Sequence, residues 1–188
     1  MTSRNTLARS LSEVGLAAWF GGSLMGAIGV NGAAAEVEPK DQRARVANAG
    51  WSRWTPVNLV AIGAHLVGST LLVGGNKGRI AGQSNVATTS VAKTAVTAAA
   101  LGATAYARAL GQKMMNAGDV PVEGGTDASA QTPPEVAAVQ RKLSTLQWAI
   151  PALTGTLVVM DALMGEQQRA GEVASGFVQR LLPDSIAA

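Results

Sequence analysis

The chain has no cysteine, so it forms neither a disulfide nor a thiolate metal site, and its sequence carries no mark of a redox compartment. A single histidine excludes bis-histidine haem ligation within one chain. Charge is scarce: 14% of the 188 residues are Asp, Glu, Lys or Arg, against about 25% in a typical soluble domain. That shortage argues against a soluble enzyme, and a 47% hydrophobic content argues against a disordered tail. Catalytic signatures are missing as well. There is no G-x-S-x-G elbow, Walker loop, H-E-x-x-H helix or G-x-G-x-x-G at a strand–helix junction. Asp119–Thr126 lacks EF-hand spacing. The net charge of +3 is small and the basic residues are scattered, so nucleic acid is a poor partner. The sequence gives no reason to expect a cofactor or metal.

What is present is alanine and glycine, 35 and 22 residues, and four stretches from which charge is nearly excluded. These are Val14–Ala35, Val57–Gly75, Val86–Ala107 and Trp148–Gly165. Their 81 residues hold two charges, Lys93 and Asp161, while the other 107 residues hold 25. About 20 helical residues cross a 30 Å hydrocarbon layer, and backbone amides in lipid must pair within the segment. The sequence therefore predicts one all-α integral membrane domain over 1–188, a four-helix transmembrane bundle. A soluble bundle would show polar outer faces, and the first two stretches show none. The third, with Thr88, Thr89, Ser90, Thr94 and Thr97, is the weakest span. Arg4 and Arg9 before the first run, with Ala33-Ala34-Ala35 after it, also fit a cleaved secretory signal. The glycine-rich face of that run reads instead as a retained packing helix.

Boundary signals refine this picture. Thr2 or Ser3 is placed to cap a short amphipathic extension through Leu7 and Leu11, and Glu36–Lys40 ends the first span. A short helix is expected over Asp41–Ala49. Thr55-Pro56 reads as the start of the second span, with Thr as N-cap, and Gly74-Gly75 as its end. The short linker after it predicts antiparallel neighbours for spans two and three. Residues 117–134 read as a mobile loop, closed by a Thr132-Pro133-Pro134-Glu135 capping box. Pro151 should kink the fourth span near Gln147. Beyond Glu166, Val173, Phe177, Leu181 and Leu182 suit a surface tail helix over 167–182.

Small residues stripe the predicted helices. Gly22, Gly26, Gly29 and Ala33 share one face, Ala61, Ala64, Gly68 and Gly75 another, and Ala95, Ala99, Gly102 and Tyr106 a third. In lipid, close backbone approach through such residues drives helices together. The stripes either pack the bundle internally or dock a partner subunit, and a spare stripe facing lipid would mark the second use. Trp19, Trp51, Trp54 and Trp148 fall near span ends, where indole favours the headgroup zone.

Polar residues inside the spans are the remaining candidates for chemistry. Lys93 lies early in the third span and Asp161 late in the fourth, which places them at similar depth in antiparallel helices and predicts a contact. Otherwise Lys93 snorkels to the headgroups and Asp161 meets backbone or water. His65 sits mid-span, either as a proton carrier or as a hydrogen-bonding strut between helices. Asn31, Asn58, Tyr106 and Arg108 form a possible second polar cluster towards the opposite membrane face. Basic residues divide six against eight between the two sides, so the charge rule barely chooses an orientation. Arg4 and Arg9 tip the expectation to cytoplasmic termini.

Trp19-Phe20-Gly21-Gly22-Ser23-Leu24-Met25-Gly26, Trp51-Ser52-Arg53-Trp54-Thr55-Pro56-Val57-Asn58 and Gln147-Trp148-Ala149-Ile150-Pro151-Ala152-Leu153-Thr154-Gly155 resemble small four-helix membrane proteins of actinobacteria. Those relatives have no assigned activity, and the wider pattern is similar to DoxX-like families. The resemblance implies a plasma-membrane protein. DoxX-like proteins are linked to redox or quinone chemistry, but no redox motif is present here to carry that across. Two function classes follow. The preferred one is a non-catalytic accessory subunit of a larger cell-envelope or respiratory complex, with lipid and other membrane subunits or a second copy as partners. The alternative is a small-molecule or proton carrier or channel using His65, Lys93 and Asp161, which an inward-facing, connected cavity touching all three would favour.

Overall fold

The computed structural model describes residues 5–75 and 84–166. The surface tail helix over 167–182, the Thr2 or Ser3 cap and the linker from Asn76 lie outside the described residues. The rest is all-helical and forms four rods. The first is α1 (Thr6–Met25), a π-helical turn (Gly26–Val30) and α2 (Asn31–Ala35) in one continuous run. A cis Glu38–Pro39 bond and a 3₁₀ turn at Lys40–Gln42 lead into α3 (Arg43–Gly75). The other rods are α4 (Ser84–Asn116) and α5 (Pro134–Glu166).

Three rods are long and apolar enough to cross a membrane: Thr6–Ala35, Lys40–Gly75 and Pro134–Gly165. These support an integral membrane protein. Their outward residues agree with that environment: Leu7, Val14, Ile28, Val60, Val67 and Val159 are all exposed. The third expected span is the exception. α4 is long enough to cross, but its hydroxyls and Lys93 keep it out of the apolar set.

The helices run past several expected boundaries. The separate helix over Asp41–Ala49 and the second span are one helix, so Thr55 caps nothing and Pro56 lies inside α3. Pro56 leaves one carbonyl of the preceding turn without its usual N–H partner. Just before it, the Thr55 hydroxyl folds back to donate to Trp51 O at 2.9 Å. At the head of α5 the Thr132 hydroxyl donates to Pro121 O at 2.7 Å and accepts from Ser129 N–H, so the expected capping box does not form. Pro134 still takes the first helical position, where its missing N–H costs nothing.

Packing sets the arrangement of the rods. α1 lies antiparallel on α3 along most of its length, α4 lies on α5, and α1 meets α5 across the middle, while α3 and α4 barely touch. The neighbour relation expected from the short linker holds only near Asn48 and Gly111; elsewhere glycine contacts commit α3 to α1. A methyl at Gly68 would overlap Ala8 O and Ser12 N, and one at Gly15 would overlap Ala61 O and His65 N. Only hydrogen fits where the two backbones touch. The core between the rods is Leu16, Trp19, Ile62, Ala100 and Leu157.

Residues 117–134 are expected as a mobile loop; up to Pro133 they are folded as a roof over one end of the bundle, and Pro134 already belongs to α5. Val122 is fully buried with Ala44, Met114 and Val136. Buried Gln140 donates to Gly124 O at 3.1 Å and Asp127 O at 3.3 Å. The largely buried Arg43 guanidinium donates to Val37 O, Glu123 O and Glu38 Oε1 at 2.8–2.9 Å. Lys40 Nζ donates to both carboxylate oxygens of Glu123 at 2.9 Å, which holds that carboxyl below its ordinary pKa. Loop-like composition does not reveal these ties, because their partners come from the 36–43 turn and from α5.

Candidate functional site

Two polar regions occupy different depths. The first sits where α1 and α3 touch. The glycines at 15 and 68 bring His65 against Ser12, and the His65 side chain is fully buried. Its Nδ1 lies 3.0 Å from Ser12 O and 3.3 Å from Ser12 Oγ. A carbonyl only accepts, so Nδ1 carries the hydrogen and donates to it. The Ser12 hydroxyl also reaches Ser69 Oγ at 2.9 Å, and Trp19 tilts over the imidazole with ring centres 6.3 Å apart. His65 Nε2 is buried with no hydrogen-bond partner. This geometry is that of a strut between two helices.

Lys93 and Asp161 meet between α4 and α5, with Lys93 Nζ donating to Asp161 Oδ1. Their side chains are only 12% and 20% exposed. The depth argument from the sequence expects this contact. The second carboxylate oxygen, Oδ2, is buried without a partner. Opposite charges in contact at this depth offset part of the penalty each ion would pay alone.

The second region is a cavity of about 460 Å³ between α3 and α4, where those helices stand apart. Asn48, Gly111, Gly125 and Thr126 lie at its roofed end, and Trp19, Ile62 and Leu101 at its deep end. Most of the wall is apolar, with Trp51 and Trp54 along one side. These indoles sit where α1 has glycine: side chains at Gly22 or Gly26 would collide with Trp54 or Trp51. Asn31 organises the wall, accepting from Trp51 Nε1 at 2.9 Å and donating to Gln147 Oε1 at 2.8 Å. Asn58 and Arg108 also face the cavity, and Asn58 Oδ1 is buried without a partner. None of His65, Lys93 and Asp161 lines it.

The second polar cluster is thus brought together in part. Asn31, Asn58 and Arg108 share the cavity, whereas Tyr106 points outward, 46% exposed, and lines none of it. The tryptophans divide similarly. Trp148 is exposed, but Trp19 is a core residue whose Nε1 donates to Thr104 Oγ1 at 3.2 Å, not a headgroup anchor. Among the glycines, Gly22, Gly26 and Gly68 pack as expected. Gly29 meets only Met25 of its own rod, and Gly102 faces open space, so neither packs a neighbouring helix. Gly15 went unread although it lies seven residues before Gly22 and extends the same face. Gln147 and Arg43 offered no local signal, since their partners are distant in sequence. Among the described residues, no cluster of His, Asp or Glu fits a metal ion.

No protein family, curated protein or solved structure matches this chain.

Proposed function

We propose that the chain is a non-catalytic subunit of a larger plasma-membrane assembly, docked to another membrane subunit or a second copy through the outer face of α4. One observation carries this reading. Ala95, Ala99, Gly102 and Tyr106, with Val91 one turn before, are all exposed on the rod that is least suited to face lipid. A methyl at Gly102 would meet nothing within the bundle. Among the described residues the stripe is therefore spare: it packs no neighbouring helix, yet it lets another backbone come close. Nearby hydroxyls already return to their own helix, Thr94 to Ser90 O at 2.9 Å and Thr97 to Lys93 O at 2.8 Å. A docked helix would gain van der Waals contact there rather than new hydrogen bonds. The carrier reading has less behind it, because the lining of the α3–α4 cavity includes none of its three residues.

The test is site-specific photo-crosslinking in native membranes. A benzophenone amino acid replacing Ala99 is expected to give a discrete crosslinked band, and one replacing Val159 on the exposed face of α5 is not. Absence of a band at 99 would rule out docking through this face.

A further inference from the structure

We infer that the α3–α4 cavity binds a single-chain anionic amphiphile, with its carboxylate or phosphate head on Arg108 and its hydrocarbon chain running inward past Trp54 to Trp19 and Ile62. Two observations converge on that chemistry. The volume, about 460 Å³, lies within the roughly 300–1,000 Å³ of small-molecule pockets, and the wall is mostly apolar with a few polar groups. The polarity is ordered along the cavity. Trp19 Nε1 on Thr104 and Asn48 beside Gly111 fix the register of α4 against its neighbours, and Arg108 falls between those two levels. The cation thus stands towards the roofed end, and the apolar floor lies deeper in the span. A lipid acid in a bilayer is arranged the same way, head at the interface and chain within.

Second, Arg108 is unmatched by charge. Among the described residues no carboxylate lies within ion-pair distance of it, and both of its terminal nitrogens donate to the neutral side-chain carbonyl of Gln112, one turn on. A half-buried guanidinium facing an apolar cavity, its charge unneutralised, is a receptor for a carboxylate or phosphate, engaged through the N–H donors that the Gln112 amide leaves free. Because α3 and α4 stand apart, the guest enters sideways from the bilayer and its chain never crosses water.

The experiment is native mass spectrometry of the full chain in phosphatidylcholine nanodiscs, titrated with palmitate and, separately, with its uncharged analogue palmityl alcohol. One palmitate per chain is expected, retained at least about tenfold better than the alcohol. Arg108→Gln should abolish that preference, Arg108→Lys should keep part of it, and Ala105→Phe, which fills the cavity wall, should reduce both ligands. Equal retention of acid and alcohol by the native chain would overturn the proposal. So would unchanged palmitate binding in Arg108→Gln or in Ala105→Phe. If phosphatidylglycerol added to the discs competes palmitate away at equimolar concentration, the single-chain assignment fails. These outcomes are independent of crosslinking at Ala99, which lies outside the cavity lining.

Discussion

Lys93 and Asp161 show what one residue costs at membrane depth. Each charge alone is penalised by a few kcal/mol, and their contact offsets part of that. Breaking it from either side should therefore be severe. Lys93→Met or Asp161→Leu is expected to destabilise by roughly 3–5 kcal/mol, while the double variant recovers most of the loss. Thermal unfolding in detergent decides this: a double variant no more stable than the singles would show that the contact carries no coupling. The pair was legible in the sequence because its prediction needs only hydropathy, helical rise and antiparallel order. The roles of Asn31 and Gln147 were not legible, because a hydrogen bond between different rods leaves no trace in local spacing. Tyr106 was misplaced for a related reason. Depth along a helix can be read from the chain, but the direction a side chain faces depends on which neighbour is there.

At the scale of elements, glycines separate into those that hold two helices together and those that do not. A methyl at Gly68 would strike the backbone of α1, whereas one at Gly102 would meet nothing among the described residues. Gly68→Ala is expected to cost about 1–3 kcal/mol or more, since neither Ala8 O nor Ser12 N can move aside cheaply. Gly102→Ala should instead be neutral or gain up to about 1 kcal/mol from helix propensity. Equal effects at the two positions would contradict the packing of α1 on α3. The four-rod order was legible from charge-free stretches and breaker residues. Helix ends were not. Thr55-Pro56 carries a start signal, yet tertiary packing carries α3 straight through it, and Thr132 spends its hydroxyl on the roof rather than on α5.

At the scale of the molecule, four rods place the start of α1 and the start of α4 at one end, and the roof at the other. A native chain without cysteine makes this directly measurable. Ser84→Cys and Ala130→Cys should react with a membrane-impermeant maleimide from opposite sides, one in intact cells and the other only after lysis. With cytoplasmic termini, position 130 is the one labelled from outside. Labelling of both from the same side would refute a four-crossing topology, with α4 as the first rod to doubt, since it is the least apolar.

The π-helical turn at Gly26–Val30 has a consequence for phase. A π turn holds one residue more than an α turn, so everything after it is rotated by about 100° relative to an unbroken α-helix. The first rod is thus two faces spliced out of step. Before the splice, Gly15 and Gly22 point at α3, and after it Asn31 points between Trp51 and Gln147. A regular helix could keep one of these alignments but not both. A small departure from ideal geometry in α1 lets a single rod serve the dry helix contact at one end and the cavity wall at the other.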